Sequence, residues 1–147
     1  MHQSGQFISA HPLPTHYGPD WDGFGSQDQS GKYLPAYFPV LFMAEAVLLA
    51  TRLQGDIARD EEFTVQFRFE SEEPWELVVA DPRRSGFHRG YKFTGGTWEH
   101  SITLPSDIGT VDFRQTAAEA ARELLLRFGW IGVTTDLLRG IQDQAFD

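Results

Sequence analysis

The stretch Phe63–Leu104 reads FTVQFRFESEEPWELVVADPRRSGFHRGYKFTGGTWEHSITL. Apolar residues occupy alternate positions in its segments FTVQFRF, WELVV, FHRGYKF and TWEHSITL, and alternate side chains of a strand point to the same face. Four such segments separated by turn residues are typical of an antiparallel meander with one apolar and one polar face. The sequence therefore predicts a four-stranded antiparallel sheet at the centre of the fold.

Two adjacent glycines, Gly95 and Gly96, predict a two-residue hairpin turn, because both positions tolerate a positive φ. This turn places His100 on the apolar face, where a histidine is more often a hydrogen-bonded core residue than a catalyst. The predicted register pairs Thr94 with Thr97, Phe93 with Trp98, Lys92 with Glu99 and Tyr91 with His100.

Two main helices flank the sheet in the sequence. Pro35–Gly55 is apolar on nearly all sides from Val40 to Leu53, which predicts a deeply packed helix. Phe113–Phe128 carries an amphipathic stripe and is preceded by Asp112, a plausible N-cap residue. We expect both helices to pack on the apolar face of the sheet.

The ends of the second helix are marked by specific residues. Gln115 follows Asp112 at the spacing of a capping box. Gly129 is suited to end the helix, because glycine readily adopts the left-handed conformation found at helix ends. A last short helix is predicted to start at Thr134 or Thr135 and to end at Gly140.

The fold class predicted from these elements is α+β, with a four-stranded antiparallel β-meander and two main α-helices on one face. Residues 36–147 are predicted to form this single domain. Residues 1–35 show little periodicity and many aromatic residues, which indicates an irregular N-terminal arm that lies across the domain or orders on a partner.

Composition narrows the possible functions. The 147 residues include no cysteine and carry a formal net charge of −9. The charge argues against direct nucleic-acid binding, which depends on Lys and Arg contacts to phosphate, and it suits docking onto a basic partner. The longest apolar run, Val40–Ala50, is about half of what a bilayer requires and is interrupted by Glu45. We therefore expect a cytoplasmic protein without a membrane segment.

Acidic residues are concentrated around the first predicted hairpin. Between Asp56 and Asp81 the sequence has nine acids and two bases. Such a run is usually a solvated face, but its concentration here keeps an interaction role open. The residues predicted to contact a protein partner are Asp60, Glu61, Glu62, Glu70, Glu72, Glu73 and Glu76, with Trp21 and Phe24 of the arm.

Two other groups of polar residues could in principle bind a ligand. Arg83, Arg84, Arg89 and Lys92 lie among aromatic residues and could contact phosphate or a base, although they more readily balance the neighbouring acids. The segment HPLPTHYGPDWD offers His11, His16, Asp20 and Asp22 as metal ligands. Their spacing matches no established ligand pattern, so we predict no metal site.

No sequence motif indicates catalysis or a cofactor. A phosphate-binding glycine loop, an H-E-x-x-H helix, a nucleophile elbow and a cysteine nucleophile are all missing. We therefore predict a non-catalytic protein without a cofactor. The alternative is a ligand-binding or enzymatic domain with a pocket lined by Glu45, Tyr91 and His100. A third possibility is a domain that binds its own copy as a homo-oligomer.

The order of a helix, a four-stranded meander and an amphipathic helix, on a small acidic chain without cysteine, resembles the immunity proteins of bacterial polymorphic toxin systems. The tail DFRQTAAEAARELLLRFGW is similar to the end of one such family, in which an Ala-rich helix closes on an aromatic-Gly step. The resemblance implies a cytoplasmic inhibitor that occludes the active site of a toxin. A phage antagonist of a bacterial defence nuclease would have the same physical properties.

Overall fold

The computed structural model describes residues 32–57, 61–78, 90–107, 109 and 111–146. In chain order, the elements along these residues are β1 (Lys32–Pro35), α1 (Tyr37–Ile57), β2 (Phe63–Ser71), β3 (Trp75–Val78), β4 (Lys92–Phe93), β5 (Gly96–Leu104), α2 (Phe113–Arg127) and α3 (Thr135–Phe146). The protein is α+β, as the sequence predicts. The described part contains three helices and two small sheets whose pairings are mostly antiparallel.

A long two-stranded ribbon forms the centre of the fold. β2 pairs antiparallel with β5 over its whole length, and β3 pairs antiparallel with β4. These pairings are consecutive parts of one hairpin, because the chain runs from β2 into β3 and returns from β4 into β5. Between them, residues 72–74 face only residues 94–95, and one extra residue of this kind bends a ribbon as a β-bulge does. We call residues 63–78 and 92–104 the ribbon and residues 71–74 its bend.

The ribbon corrects the predicted four-stranded meander, because the predicted hairpin across Gly95 and Gly96 is not formed. Both glycines have positive φ values, 103° and 98°. A Cβ on Gly95 would lie 3.4 Å from the carbonyl oxygens of Ser71 and Glu72, so this glycine also permits close approach at the bend. The predicted pairs are replaced by Trp98 with Phe69, Glu99 with Arg68, His100 with Phe67, Phe93 with Trp75 and Lys92 with Glu76.

β1 is a parallel neighbour of β3 and completes a three-stranded sheet in the order β1-β3-β4. Its residues, Lys32–Pro35, are the last residues of the predicted arm, so this part of the arm belongs to the sheet. The remainder of the arm, residues 1–31, lies outside the described residues, as do the predicted turn and strand residues 79–89.

Helix α1 begins and ends two residues later than predicted. Pro39 is its third residue, a position whose backbone N–H would have no acceptor within the helix, so proline is tolerated there. Gly55 lies inside the last turn and does not end the helix. One side of α1 is buried against the rest of the protein through Val40, Met43, Ala44 and Val47.

By length and composition alone, α1 could cross a membrane. Residues Tyr37–Asp56 contain an 18-residue window of mean hydropathy 1.2, of which 33% is buried within the protein. The sequence expectation considered only the run Val40–Ala50 and therefore missed this longer segment. A core helix meets the same criteria, and α1 packs on α2, α3 and β2.

The start of α2 confirms the predicted N-cap. The Asp112 carboxylate accepts hydrogen bonds from the backbone N–H groups of Arg114 and Gln115, both at 3.1 Å. In the predicted capping box, the Gln115 side chain would bond back to the backbone of Asp112. Its amide instead donates to the Glu119 carboxylate at 2.7 Å.

The end of α2 returns the chain toward the core. Gly129 has a φ of 85°. Its N–H donates to Leu126 O at 2.9 Å, and the Trp130 N–H donates to Leu125 O at 3.2 Å. These two bonds form a Schellman motif, in which a left-handed glycine ends a helix. α3 then runs to Phe146, six residues beyond its predicted end, and packs on α1 and α2.

Four aromatic rings join the two sheets to α2. The Phe69 ring lies 5.0 Å from Phe93, 5.7 Å from Phe128 and 6.3 Å from Trp75, in each case edge to face. Edge-to-face contacts are a favourable arrangement of aromatic rings. Because Phe69 is on β2, Trp75 on β3, Phe93 on β4 and Phe128 after α2, this cluster fixes the geometry of the bent ribbon.

Two glutamines are fully buried, and sequence analysis singled out neither of them. The Gln54 amide donates to Glu61 O at 2.7 Å and to Pro105 O at 2.8 Å, so it ties α1 to the start of β2 and the end of β5. Among the described residues, three buried amide atoms have no hydrogen-bond partner: the oxygen of Gln54, and both the nitrogen and the oxygen of Gln142 on α3. A buried polar group without a partner reduces stability.

The two glutamines are therefore expected to respond oppositely to replacement by methionine. Gln142→Met removes two unpartnered polar atoms from the core and should raise the free energy of unfolding by about 1–3 kcal/mol. Gln54→Met removes two hydrogen bonds together with one unpartnered oxygen, and it should lower the free energy of unfolding by about 1 kcal/mol. Urea unfolding of both variants measures the difference, and a loss of stability in Gln142→Met would contradict the prediction.

Candidate binding surface

The bend of the ribbon is organised by the Ser71 hydroxyl. This hydroxyl donates to Glu73 O at 2.7 Å and accepts from the Glu73 N–H at 3.2 Å. It also accepts from the indole N–H of Trp75 at 2.8 Å, which links the bend to the aromatic core. The bend is thus tied to the buried Trp75 side chain, while Glu72 and Glu73 remain exposed.

The acidic side chains near the bend are partly neutralised by local partners. Glu73 pairs with Lys32 at 2.9 Å, Glu70 with Arg68 at 2.9 Å and Glu76 with Lys92 at 3.5 Å. Exposed ion pairs of this kind stabilise a fold by roughly 0–1 kcal/mol. The acids therefore contribute little to stability, and their long-range field is weaker than the residue count alone suggests.

Glu72 differs from its neighbours on the bend. It is exposed, and it makes no ion pair in the part of the chain that the structure describes. It lies between two acids whose orientation is held by Lys32 and Arg68.

Lys32 was missed by the sequence analysis because it was assigned to the arm. In β1 it faces Trp75, and its ammonium group lies 5.8 Å from the centre of the Trp75 ring. The ring contact and the Glu73 ion pair together hold Lys32 beside the bend. Only the parallel pairing of β1 with β3 brings it there, and no local pattern signals that pairing.

The predicted contact residues do not form a single patch. Glu61 and Glu62 are exposed before β2, whereas Glu70 lies near its other end. Glu70 lies eight positions after Glu62, which corresponds to about 26 Å of extended strand. Asp60, Trp21 and Phe24 lie outside the described residues, as do Arg83, Arg84 and Arg89 and the metal candidates His11, His16, Asp20 and Asp22.

The outer face of the ribbon connects the two acidic ends. Every second residue of β2 and β5 is exposed and polar, and the central pair is Arg68 opposite Glu99, with 3.7 Å between the guanidinium and the carboxylate. The exposed residues of this face are Thr64, Gln66, Arg68, Glu70, Thr97, Glu99, Ser101 and Thr103. Together with the bend, these residues form a continuous polar surface. The alternating pattern of the sequence correctly predicts which of them are exposed, but not that β2 and β5 lie side by side.

The three residues of the predicted alternative pocket have different neighbours. Glu45 is exposed on α1, on the side away from its buried residues. Tyr91 stacks on Trp130, with ring centres 6.0 Å apart. His100 faces Phe67 across the ribbon and stacks on Trp98, with ring centres 5.7 Å apart and an angle of 3° between the planes. The predicted contact of His100 with Tyr91 is not formed.

Because His100 packs against aromatic neighbours on the inner face of the ribbon, His100→Phe should keep this packing. We expect the free energy of unfolding to change by less than about 1.5 kcal/mol, as for other shape-conserving core substitutions. Thermal unfolding measures this change. His100→Asp is the matched control, because burying a charge among aromatic rings should be strongly destabilising.

Among the described residues, no group of three or more His, Asp or Glu side chains is placed to hold a metal ion.

No family model matches the chain, and neither the curated proteins nor the solved structures include one with significant similarity to it.

Proposed function

We propose that this protein is a non-catalytic inhibitor, of the immunity-protein type, that neutralises a toxin or a nuclease by covering a basic surface or active-site cleft. The observation that carries the proposal is the bend. Its exposed acids are connected to the aromatic core through the hydrogen bond between Ser71 and Trp75 and the contact of Trp75 with Phe69. The net charge of −9 favours approach to a basic partner.

The ion pairs around the bend suit such an interaction. Lys32 and Lys92 hold Glu73 and Glu76 in place, yet all four side chains remain exposed to solvent to a substantial degree. Exchanging an exposed lysine for an arginine of the partner costs little, because the original pair contributes roughly 1 kcal/mol or less. Side chains that are already oriented also lose less entropy on binding.

The outer face of the ribbon would extend the contact. Its polar residues include hydroxyl and amide groups as well as the Arg68–Glu99 pair. Charged and polar contacts across an interface determine register and reject unsuitable partners. The likeness of the C-terminal helix to polymorphic-toxin immunity proteins agrees with this role and implies a cytoplasmic site of action.

Coexpression with the product of the neighbouring reading frame tests the proposal. If that product is a toxin or a nuclease, this protein should restore host growth and form a stoichiometric complex with it. In vitro, equimolar protein should reduce the activity of the purified partner at least tenfold. A partner that remains fully active with an excess of this protein would refute the proposal.

A further inference from the structure

Helix α1 has two sides of different character. The buried side packs on α2, α3 and β2. The opposite side, here called the outer face of α1, carries the exposed residues Glu45, Leu49, Arg52 and Asp56. Along the edges of this face lie the half-buried residues Phe38, Leu41, Phe42, Leu48 and Leu53.

This outer face combines charged residues with an exposed leucine and half-buried aromatic rings. An amphipathic surface helix normally presents charged and polar residues to solvent. Here Leu49 is 58% exposed at the middle of the helix, and the rings of Phe38 and Phe42 stack 6.0 Å apart along the face. An exposed leucine beside partly exposed aromatic rings makes this face a candidate interaction surface.

This face carries two residues of opposite charge, Glu45 and Arg52. Neither Glu45 nor Arg52 makes an ion pair in the part of the chain that the structure describes. Among the described basic residues, Arg127 alone shares this property with Arg52. Glu45 and Arg52 are seven residues apart, about 10.5 Å along the helix axis, which is too far for them to pair with each other.

The spacing of these charges suits a second copy of the same helix. When two identical helices pack antiparallel about a point between Leu48 and Leu49, Glu45 of each copy faces Arg52 of the other. Both ion pairs form at once, because a two-fold interface brings the same surface of each subunit together. Antiparallel helix dipoles also attract each other.

The same arrangement brings apolar side chains together at the two-fold point. Leu49 of each copy lies next to its symmetry mate, with Leu48 at the edge of the contact. We propose that the protein forms a homodimer through antiparallel packing of the outer faces of α1.

The charge pattern favours this occupant over a lipid surface. A net charge of −9 repels the anionic lipids that attract peripheral proteins. The inference does not depend on the proposed function, since the outer face of α1 and the bend share no residue. A single helix pair buries less than the roughly 800 Å² per partner of a standard interface, so we expect a dissociation constant in the micromolar range.

Sedimentation equilibrium of the full chain between about 1 and 200 µM tests the proposal. The wild type should be a dimer at the upper end of this range. Glu45→Arg and Arg52→Glu should each raise the dissociation constant at least ~10-fold, because both interface pairs become repulsive. Mixing these two variants in equal amounts should restore dimers, and so should the double variant, because each reversed charge then faces an opposite one.

Leu49→Asp should also give a monomer, whereas Ile131→Asp is the control. Ile131 is 83% exposed in the segment between α2 and α3. Circular dichroism should show that every variant is folded, since the exchanged side chains are exposed.

Three results would overturn the proposal. One is a wild type that stays monomeric throughout the concentration range. Another is the absence of dimers in an equal mixture of the Glu45→Arg and Arg52→Glu variants. The third is a protein that dimerises only when residues 1–31 are deleted, because the arm would then be the occupant. Binding of neutral lipid vesicles through Leu49 would likewise count against the dimer, because a lipid surface would then be the occupant.

Discussion

Reversal of Glu72, Glu73 and Glu76 together to lysine is expected to weaken partner binding by roughly 30- to 5,000-fold. This range corresponds to the 2–5 kcal/mol that is typical when one member of a buried interfacial charge pair is lost. The affinity is measured by titration calorimetry with the partner identified by coexpression. Association should also slow as salt increases, because charges further apart than about 8 Å are screened at physiological ionic strength.

The fold should tolerate this reversal. The substitutions replace two exposed ion pairs, with Lys32 and Lys92, by contacts between like charges, at a cost of about 1 kcal/mol each or less. For a chain of this size that lowers the melting temperature by only a few degrees, about 2–4 °C per kcal/mol. Glu72→Lys alone should weaken binding without any change in stability, because this side chain makes no ion pair in the described part of the chain.

A matched control separates the position of the charges from their number. Glu119, Glu123 and Asp136 are exposed acids on α2 and α3, and reversing them changes the net charge by the same amount. Affinity should be nearly unchanged in this control. If both triple variants bind the partner equally well, the bend is a solvated edge and the interface lies elsewhere.

Phe69→Ala is expected to lower the free energy of unfolding by about 3–5 kcal/mol, as for other buried phenylalanines. Phe69 contacts the rings of Phe93, Phe128 and Trp75, so its loss leaves a cavity where both sheets meet α2. This cost is a large share of the roughly 5–15 kcal/mol that stabilises an ordinary domain. Urea unfolding should show the loss, together with a decrease of about 10 °C in the melting temperature.

Phe63→Ala is the control for this prediction. Phe63 lies on the same face of β2, but it is half-buried at the far end of the ribbon. Its removal should cost clearly less than that of Phe69. Equal costs would show that the aromatic cluster at the bend has no special role in joining the sheets.

The paired strands illustrate the limits of sequence reasoning here. Alternation correctly predicted which residues of β2 and β5 face the core, because the two-residue period is a local property of an extended chain. It could not identify the partner strand. Positive φ at Gly95 and Gly96 is compatible both with a tight hairpin and with the bulged bend that the structure contains.

The sequence anticipated only part of the acidic surface at the bend, because strand pairing is not a local property of the chain. Exposure of Glu70, Glu72 and Glu73 follows from their positions on a strand edge and a turn, and the sequence predicted it. Their ion pairs did not follow, because Lys32 comes from a strand about forty residues earlier in the chain. The net electrostatic field at the bend could therefore be derived only from the folded structure.

The sequence by itself determined the α+β class, the inner face of the ribbon, and the caps of α2 at Asp112 and Gly129. Each of these follows from residues within one or two turns of each other, where the backbone and its neighbours decide the conformation. The tertiary structure alone decided that β2 pairs with β5, that β1 joins β3 and that Phe69 meets Phe93 and Phe128. These choices depend on which long-range pairing buries the most aromatic surface, because closing a longer loop adds only a small entropic cost.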